Sequence, residues 1–363
     1  MGEIYAFFRL LADGQVALGT AEAAPDGQQV WPVALVQREE HDGTRRYRVE
    51  ADGVRIVSGC IDRSGAFRPG DEPEAVFPRQ DFADAAECVL SLLRSVPGGE
   101  ELEVPEALEG FLNATRIYDL EAKTDDRTDL HVAFWHAGAP LAGFSVRCRL
   151  APMAPLLDGG RTANLKLEQT GVKFAAPMVN KVNALPGTVA DRMRAIERLG
   201  GVLRYADVAD RVFRCNLSMI DLHFPRLLAE MVRTMHLEDI TRVADLTESM
   251  KTLNPLKIKD ELIQKHGFYE YKVKQFLLAL AQGMRPAKIF RGTASAVEGI
   301  LLVDGEGRLL CYHRSQPDVF AEFLYRNTRF EKSAVEKDKY GYLERENGTY
   351  YFKLNAKIGL LKR

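Results

Sequence analysis

Asp129 and the triplet Ser145-Val146-Arg147 make the pattern in this chain best suited to hydrolytic chemistry. A carboxylate can hold a divalent ion, and a neighbouring cation can polarise water or steady the charge that develops on a phosphorane. An acid on one strand and a polar-x-cation triplet on the next supply both parts. By itself the pattern is common, and a strand-edge Asp beside an exposed Arg is the more frequent explanation. Other spellings are poorer. Asp304-Gly305-Glu306-Gly307-Arg308 holds half of a dinucleotide fingerprint, but no helix follows, which predicts a hairpin turn. His131 and His136, five apart on or beside a strand, fall on opposite faces and do not share a metal. Glu121-Ala122-Lys123 reads Glu-x-Lys but precedes Asp129 instead of following it. No P-loop, Ser-His-Asp order or Cys-His pairing is legible.

The elements that must position these residues are short strands. Arg116 to Ala122, Thr128 to Trp135 and Leu141 to Leu150 read as a three-strand antiparallel meander, joined by polar and Gly/Pro-rich links. Upstream, Glu3 to Ala12 predicts a helix with a broad apolar face, stopped by Asp13-Gly14; alternating runs at 30–36 and 47–57 predict strands. Gly98-Gly99 and the acidic stretch Glu100 to Glu109 predict a turn into a helix. Downstream, helical periodicity resumes over Thr188 to Leu199, Pro225 to Met235 and Gln275 to Gln282. From Ile300 the tail reads as strands, with Asn347-Gly348 as a hairpin signal. The expected parts are an acidic β-rich region with its helix at 1–112, a core with a helical segment at 113–290, and a β-rich region at 291–363.

Composition narrows the classes. The 363 residues are 46% hydrophobic, enough for a sizeable core, which excludes disorder as the main state. No stretch reaches 18 apolar residues and the start lacks a signal-peptide pattern, so the expectation is a soluble cytoplasmic protein with no membrane partner. Five widely spaced cysteines without a CxxC pair predict free thiols. The net charge of -2 conceals an asymmetry, with -11 on residues 1–110 and +9 on the remainder. Within the basic part, Lys251, Lys257, Lys259, Lys265, Lys272, Lys274, Arg285 and Lys288 form a surplus that fits either a phosphate backbone or a solvated helix face.

Several blocks, in order along nearly the whole chain, are similar to the HpaII-like type II restriction endonucleases of the PD-(D/E)xK nuclease superfamily. They include Gly2 to Gly14, Thr128-Asp129-Leu130, Gly143-Phe144-Ser145-Val146, Val182-Asn183-Ala184, Asp221 to Glu230, Leu280 to Met284, Leu310-Cys311-Tyr312-His313, Asn327 to Glu331 and Glu346 to Asn355. The resemblance implies an α/β fold with a PD-(D/E)xK-like mixed central sheet flanked by helices. It also implies a homodimer that cuts double-stranded DNA at a short CCGG-like palindrome with Mg2+. By motif, Asp129 corresponds to the metal-binding Asp, Glu3 to a carboxylate that completes the metal site, and Ser145 and Arg147 to Ser-x-Lys. The departures are Arg147 in place of Lys and the Asp158-Gly159-Gly160 segment. Arg stays protonated, so it can stabilise charge but not accept a proton; Lys166 is an alternative source of an ammonium. His313, Arg326, Asn327, Arg329, Lys257 and Lys259 are the expected DNA contacts. Two readings follow, an enzyme that cuts and a relative that binds DNA without cutting.

Overall fold

The computed structural model describes residues 1–95, 103–120, 128–135, 140–292 and 297–362. Its first element is α1 (Gly2–Asp13), where Ile4, Tyr5, Phe7, Phe8, Leu10 and Leu11 recur at helical spacing and are all buried. Gly14 ends it at φ 62, donating its N–H to the Leu10 carbonyl, a left-handed stop that suits glycine. Strands β1 (Gln15–Gly19), β2 (Pro25–Glu40), β3 (Gly43–Val49), β4 (Val54–Ile61), β5 (Phe67–Pro69) and β6 (Ala75–Phe77) follow, then α2 (Arg79–Ser95) and α3 (Glu106–Ala114). Next come β7 (Leu130–Phe134), β8 (Ala142–Cys148), β9 (Leu157–Asp158) and β10 (Asn164–Gly171).

A largely helical stretch succeeds them: α4 (Ala176–Asn183), α5 (Val189–Arg198), β11 (Gly201–Val208), α6 (Arg211–Ser218), α7 (Phe224–Glu238), α8 (Val243–Leu253), α9 (Asp260–Gln264) and α10 (Phe268–Ala281). The chain closes with β12 (Val297–Val303), β13 (Leu309–His313), α11 (Pro317–Asn327), β14 (Thr328–Phe330), α12 (Val335–Asp338), β15 (Leu343–Glu346), β16 (Thr349–Asn355) and β17 (Lys357–Leu360).

The main sheet has ten strands in the path β1-β13-β12-β8-β7-β2-β3-β4-β5, with β6 beside β4. Its strands come from all three of the portions expected from sequence. Because β2 also pairs with β1, the strands β1, β13, β12, β8, β7 and β2 close into a barrel. The 16-residue β2 manages this by dividing its length. Its first half meets β1 at Val16↔Trp31, and its second half meets β7 at Gln37↔His131, with a register shift between. Strands β8 and β12 run parallel; β7 and β2 are antiparallel to their neighbours. The rest is a mixed α/β assembly with a four-stranded sheet, β11-β10-β16-β15, and a three-stranded one, β14-β17-β9.

Two apolar cores lie on opposite faces of the main sheet. One joins α1 and α2 to Tyr47, Val132, Phe144, Val146, Leu301 and Val303; the other joins Ile300, Leu302 and Tyr312 to α7, α10 and α11. Strand β12 feeds both by simple alternation. Each fully buried Phe or Leu contributes about 1.5–3 kcal/mol, so these shared strands lock the two bodies together.

The structure corrects two expectations. Residues 116–120 are not the first strand of the meander; β2 takes that place. Arg116 sits at φ 62, and the Tyr118 and Asp119 N–H groups are held by the Glu40 carboxylate instead of a sheet ladder. The tail is not all strand either, since the apolar residues Phe320, Phe323 and Leu324 of α11 pack into the second core. The hairpin at Asn347-Gly348 is present, both residues having positive φ. The five cysteines are free. Glu121-Ala122-Lys123, His136 and Gly98-Gly99 lie outside the described residues.

Candidate active site

Asp129 immediately precedes β7 and is fixed to β8 at both ends. Its N–H donates to the Phe144 carbonyl at 2.8 Å, and its Oδ2 accepts the Val146 N–H at 2.6 Å. The β7–β8 ladder starts next door at Leu130↔Phe144, so the carboxylate is held where the two strands begin to pair. Glu3 reaches the same place from the first turn of α1, where the helix dipole favours an acid. The α1 start is pressed against β8, and a Cβ on Gly2 would come within 2.5 Å of Cys148 Cβ.

Glu3 is gripped by Arg38, which is fully buried at 0% exposure. Arg38 Nη1 meets Glu3 Oε1 at 2.5 Å, Nε donates to Glu40 Oε1 at 3.0 Å, and Nη2 donates to the Asp119 carbonyl at 2.7 Å. Burial works against the charge on Arg38, but Glu3 and Glu40 more than offset it and raise its pKa. One guanidinium therefore ties together α1, the end of β2 and the segment leading toward Asp129. Sequence reasoning missed Arg38. The available signal was a charged run, Gln37-Arg38-Glu39-Glu40, inside a strand whose alternation carries Arg38 and Glu40 to the buried face.

Arg147 lies on β8, next to Leu302 of β12 in register. Burial pushes its guanidinium below its usual range, and Asp129 partly offsets that. Nη1 donates to the Val146 carbonyl at 3.3 Å, whereas Nε is buried with no hydrogen-bond partner among the described residues. An unmade bond at a buried donor costs about 1–3 kcal/mol. A cleft of about 340 Å³ joins Glu3, Asp129, Val146, Arg147 and Cys148 to the loop at 151–154. The larger cavity, about 710 Å³ between α7 and α8, contains none of them. Ser145 is buried and does not line the cleft.

Among the described residues no group of three or more His, Cys, Asp or Glu is gathered as a metal site. Mg2+ is held by one or two carboxylates and keeps several waters or phosphate oxygens. Glu3 and Asp129 are hard oxygen donors of that number, arriving from different elements on one cleft.

The other expected residues are scattered. His313 is wedged at the barrel end against Trp31 (ring centroids 5.4 Å) and Phe144 (5.7 Å), with its Nδ1 2.8 Å from Ser315 Oγ. Asn327 is fully buried, its amide bonded to the Ala21 and Phe323 carbonyls and to Arg149, so it offers nothing to a duplex in this conformation. Arg326 pairs with Glu322 and Glu22, and Arg329 lies 3.7 Å from Glu331. Lys166 faces Glu346 on the four-stranded sheet and does not line the cleft. In the basic segment Lys272 pairs with Asp221, and Lys274 with Glu270 and Glu322. Lys257 and Lys259 are exposed, Lys257 at φ 56.

The two carboxylates, on α1 and just before β7, and the Arg147 cation on β8 line one cleft. Comparison of the whole chain decides the family: the HpaII restriction endonuclease family matches residues 1–360. The chain belongs to the HpaII restriction endonuclease family. It is 29% identical over 362 residues to the type II restriction enzyme HpaII of Haemophilus parainfluenzae, covering 99% of this chain and 96% of that protein. No solved structure matches. Among the described residues no helix is long and apolar enough to cross a membrane.

Proposed function

We propose that this family member is a type II restriction endonuclease that cuts double-stranded DNA at a short CCGG-like palindrome. The observation that carries the reading is the single cleft that brings Glu3, Asp129 and Arg147 together from three separate elements. The order α1, β2, β7, β8, β12, with β8 and β12 parallel, supports a PD-(D/E)xK core. In this reading Asp129 and Glu3 hold Mg2+, which supplies Lewis-acid activation of water and of the scissile phosphate when bound. The Val146 N–H orients Asp129, and Arg38 orients Glu3. Arg147 receives the phosphate, and its fork steadies negative charge without taking a proton. A homodimer presents two such clefts to the two strands of a palindrome.

The replacement of Lys by Arg147 favours a second reading, a DNA binder that does not cut. Incubation with a CCGG-containing plasmid separates them: discrete Mg2+-dependent fragments mean a nuclease, and retarded intact DNA a binder. Asp129→Ala is expected to abolish fragments while leaving duplex affinity within about tenfold. Undiminished cleavage by that variant, with a wild-type circular dichroism spectrum, would refute the site.

A further inference from the structure

Between Glu270 and Glu298 the chain carries no carboxylate, whereas Lys272, Lys274, Arg285, Lys288 and Arg291 all fall there. Lys272 and Lys274 are engaged in ion pairs within the helical body. The other three lie on the segment that leaves α10 toward β12, and that segment has a fixed shape. Arg285-Pro286-Ala287-Lys288 is a tight turn, closed by the Lys288 N–H on the Arg285 carbonyl at 3.4 Å, with Pro at the second position that such turns favour. Asn216 of α6, 3% exposed, holds the turn from beneath. Its amide donates to the Arg285 carbonyl at 3.0 Å and the Lys288 carbonyl at 2.8 Å, and its Oδ1 accepts the Phe290 N–H at 3.0 Å. Phe290 packs against the second core. Ile289, between two residues anchored in this way, is nevertheless 74% exposed, with exposed Lys288 before it and exposed Arg291 two residues after it.

A lone apolar residue on a surface is ordinary. This one stands on a pinned turn, between cations, beside the cleft. Gly159 lies so close to Pro286 that an added Cβ would come within 2.5 Å of the proline ring. Gly159 is five residues past Ala154 of the cleft rim, which places the turn within about 17 Å of the cleft, about five base-pair rises of a duplex. The Asp158-Gly159-Gly160 segment, where the sequence departs from the family pattern, is thus what lets the turn sit against the rim. The carboxylates on the neighbouring elements are already engaged: Asp158 with Lys357 at 3.2 Å, Asp221 with Lys272 at 3.0 Å, Asp207 with Arg214 at 3.1 Å, and Asp210 as the cap of α6. Arg291 has no ion pair among the described residues.

We infer that residues 287–291 form a DNA-contact finger beside the cleft, in which Lys288 and Arg291 meet backbone phosphates and Ile289 seats against the groove of the flanking duplex. This rests on the nuclease reading above. An aliphatic tip between cations matches a duplex groove, whose walls are phosphate and whose interior offers sugar and base edges. The bonds to Asn216 fix the backbone before DNA arrives, which limits the entropy lost on contact.

The test uses the full-length protein and a 30-base-pair duplex containing CCGG, with affinity measured by fluorescence anisotropy from 50 to 200 mM salt without Mg2+. Lys288→Gln/Arg291→Gln should lower the log-log salt slope by about 1.8 if each cation neutralises one phosphate, shrinking the affinity loss across that range by about tenfold. Ile289→Ser should weaken binding by roughly tenfold at every salt concentration and leave the slope unchanged, because burial of an aliphatic side chain releases no counterion. All three positions are exposed, so the variants should keep the wild-type circular dichroism spectrum. Leu253→Ser, at the exposed end of α8 beside the larger cavity, should change neither affinity nor slope. Wild-type affinity and slope in both finger variants overturn the finger while leaving the nuclease reading intact. An Ile289→Ser protein that binds DNA as wild type but sediments as a smaller species assigns the tip to a contact between copies and overturns the finger likewise. Absence of any duplex binding by the wild-type protein overturns both readings.

Discussion

Arg38→Met would leave Glu3 and Glu40 facing an apolar side chain where a shared cation had been. Arg38 is 0% exposed and the Glu40 side chain likewise, so neither water nor salt can replace the lost partner. Breaking a buried pair by removing one member typically costs 3–5 kcal/mol. Arg38 contacts two carboxylates and the Asp119 carbonyl, which puts the expected loss at or above the middle of that range, about 4 kcal/mol. Urea unfolding followed by tryptophan fluorescence and circular dichroism would measure it. Arg38→Met/Glu40→Met should recover part of the loss, because removing both partners of a buried pair leaves less uncompensated charge. A single variant that loses under about 1 kcal/mol, or a double variant worse than the single, would refute the hub assigned to Arg38.

Arg147→Lys should raise Mg2+-dependent cleavage, since a compact ammonium can approach phosphate and water together; Arg147→Ala should lower it by about 10²-fold to 10³-fold in single-turnover rate. Lys257→Gln/Lys259→Gln should flatten the salt dependence of duplex binding, whereas Lys272→Gln/Lys274→Gln should chiefly lower stability, because those two lysines are already paired with carboxylates. Burial, with Lys332 adding to it, pushes His236 down to about 4. The unfolded chain therefore binds a proton near pH 6.5 that the folded one refuses, and stability falls as pH drops from about 6.5 to 4, by up to about 3 kcal/mol. His236→Gln should remove most of that acid slope in urea midpoints measured between pH 4.5 and 7.5; an unchanged slope would assign it to other groups.

The parts of the site carried by local pattern were legible in the sequence. Glu3 sits on a helix readable from its apolar spacing, Arg147 belongs to a strand with clear alternation, and Asp129 immediately precedes another. What was not legible depends on long-range closure. Residues 116–120 have strand-like composition, yet Arg38 and Glu40 satisfy their backbone groups, a competition that no short window contains. His313, Asn327 and Arg329 have the residue types that read base edges, but type does not reveal burial, and packing has committed Asn327 to the interior.

The parallel pairing of β8 with β12 sets a clock on synthesis. Arg147 acquires Leu302 beside it only when the chain has grown by on the order of 150 further residues, which at ribosomal rates of about 5–20 residues per second takes roughly 8–30 seconds. The barrel closes later still, when β13 returns to β1 and the Tyr5 hydroxyl can donate to the Gly307 carbonyl. Until then the nascent chain carries Glu3 and Asp129 but no wall beside them. Truncated products of translation that stop before β12 and β13 would consequently hold the acidic residues of the cleft without the closed barrel.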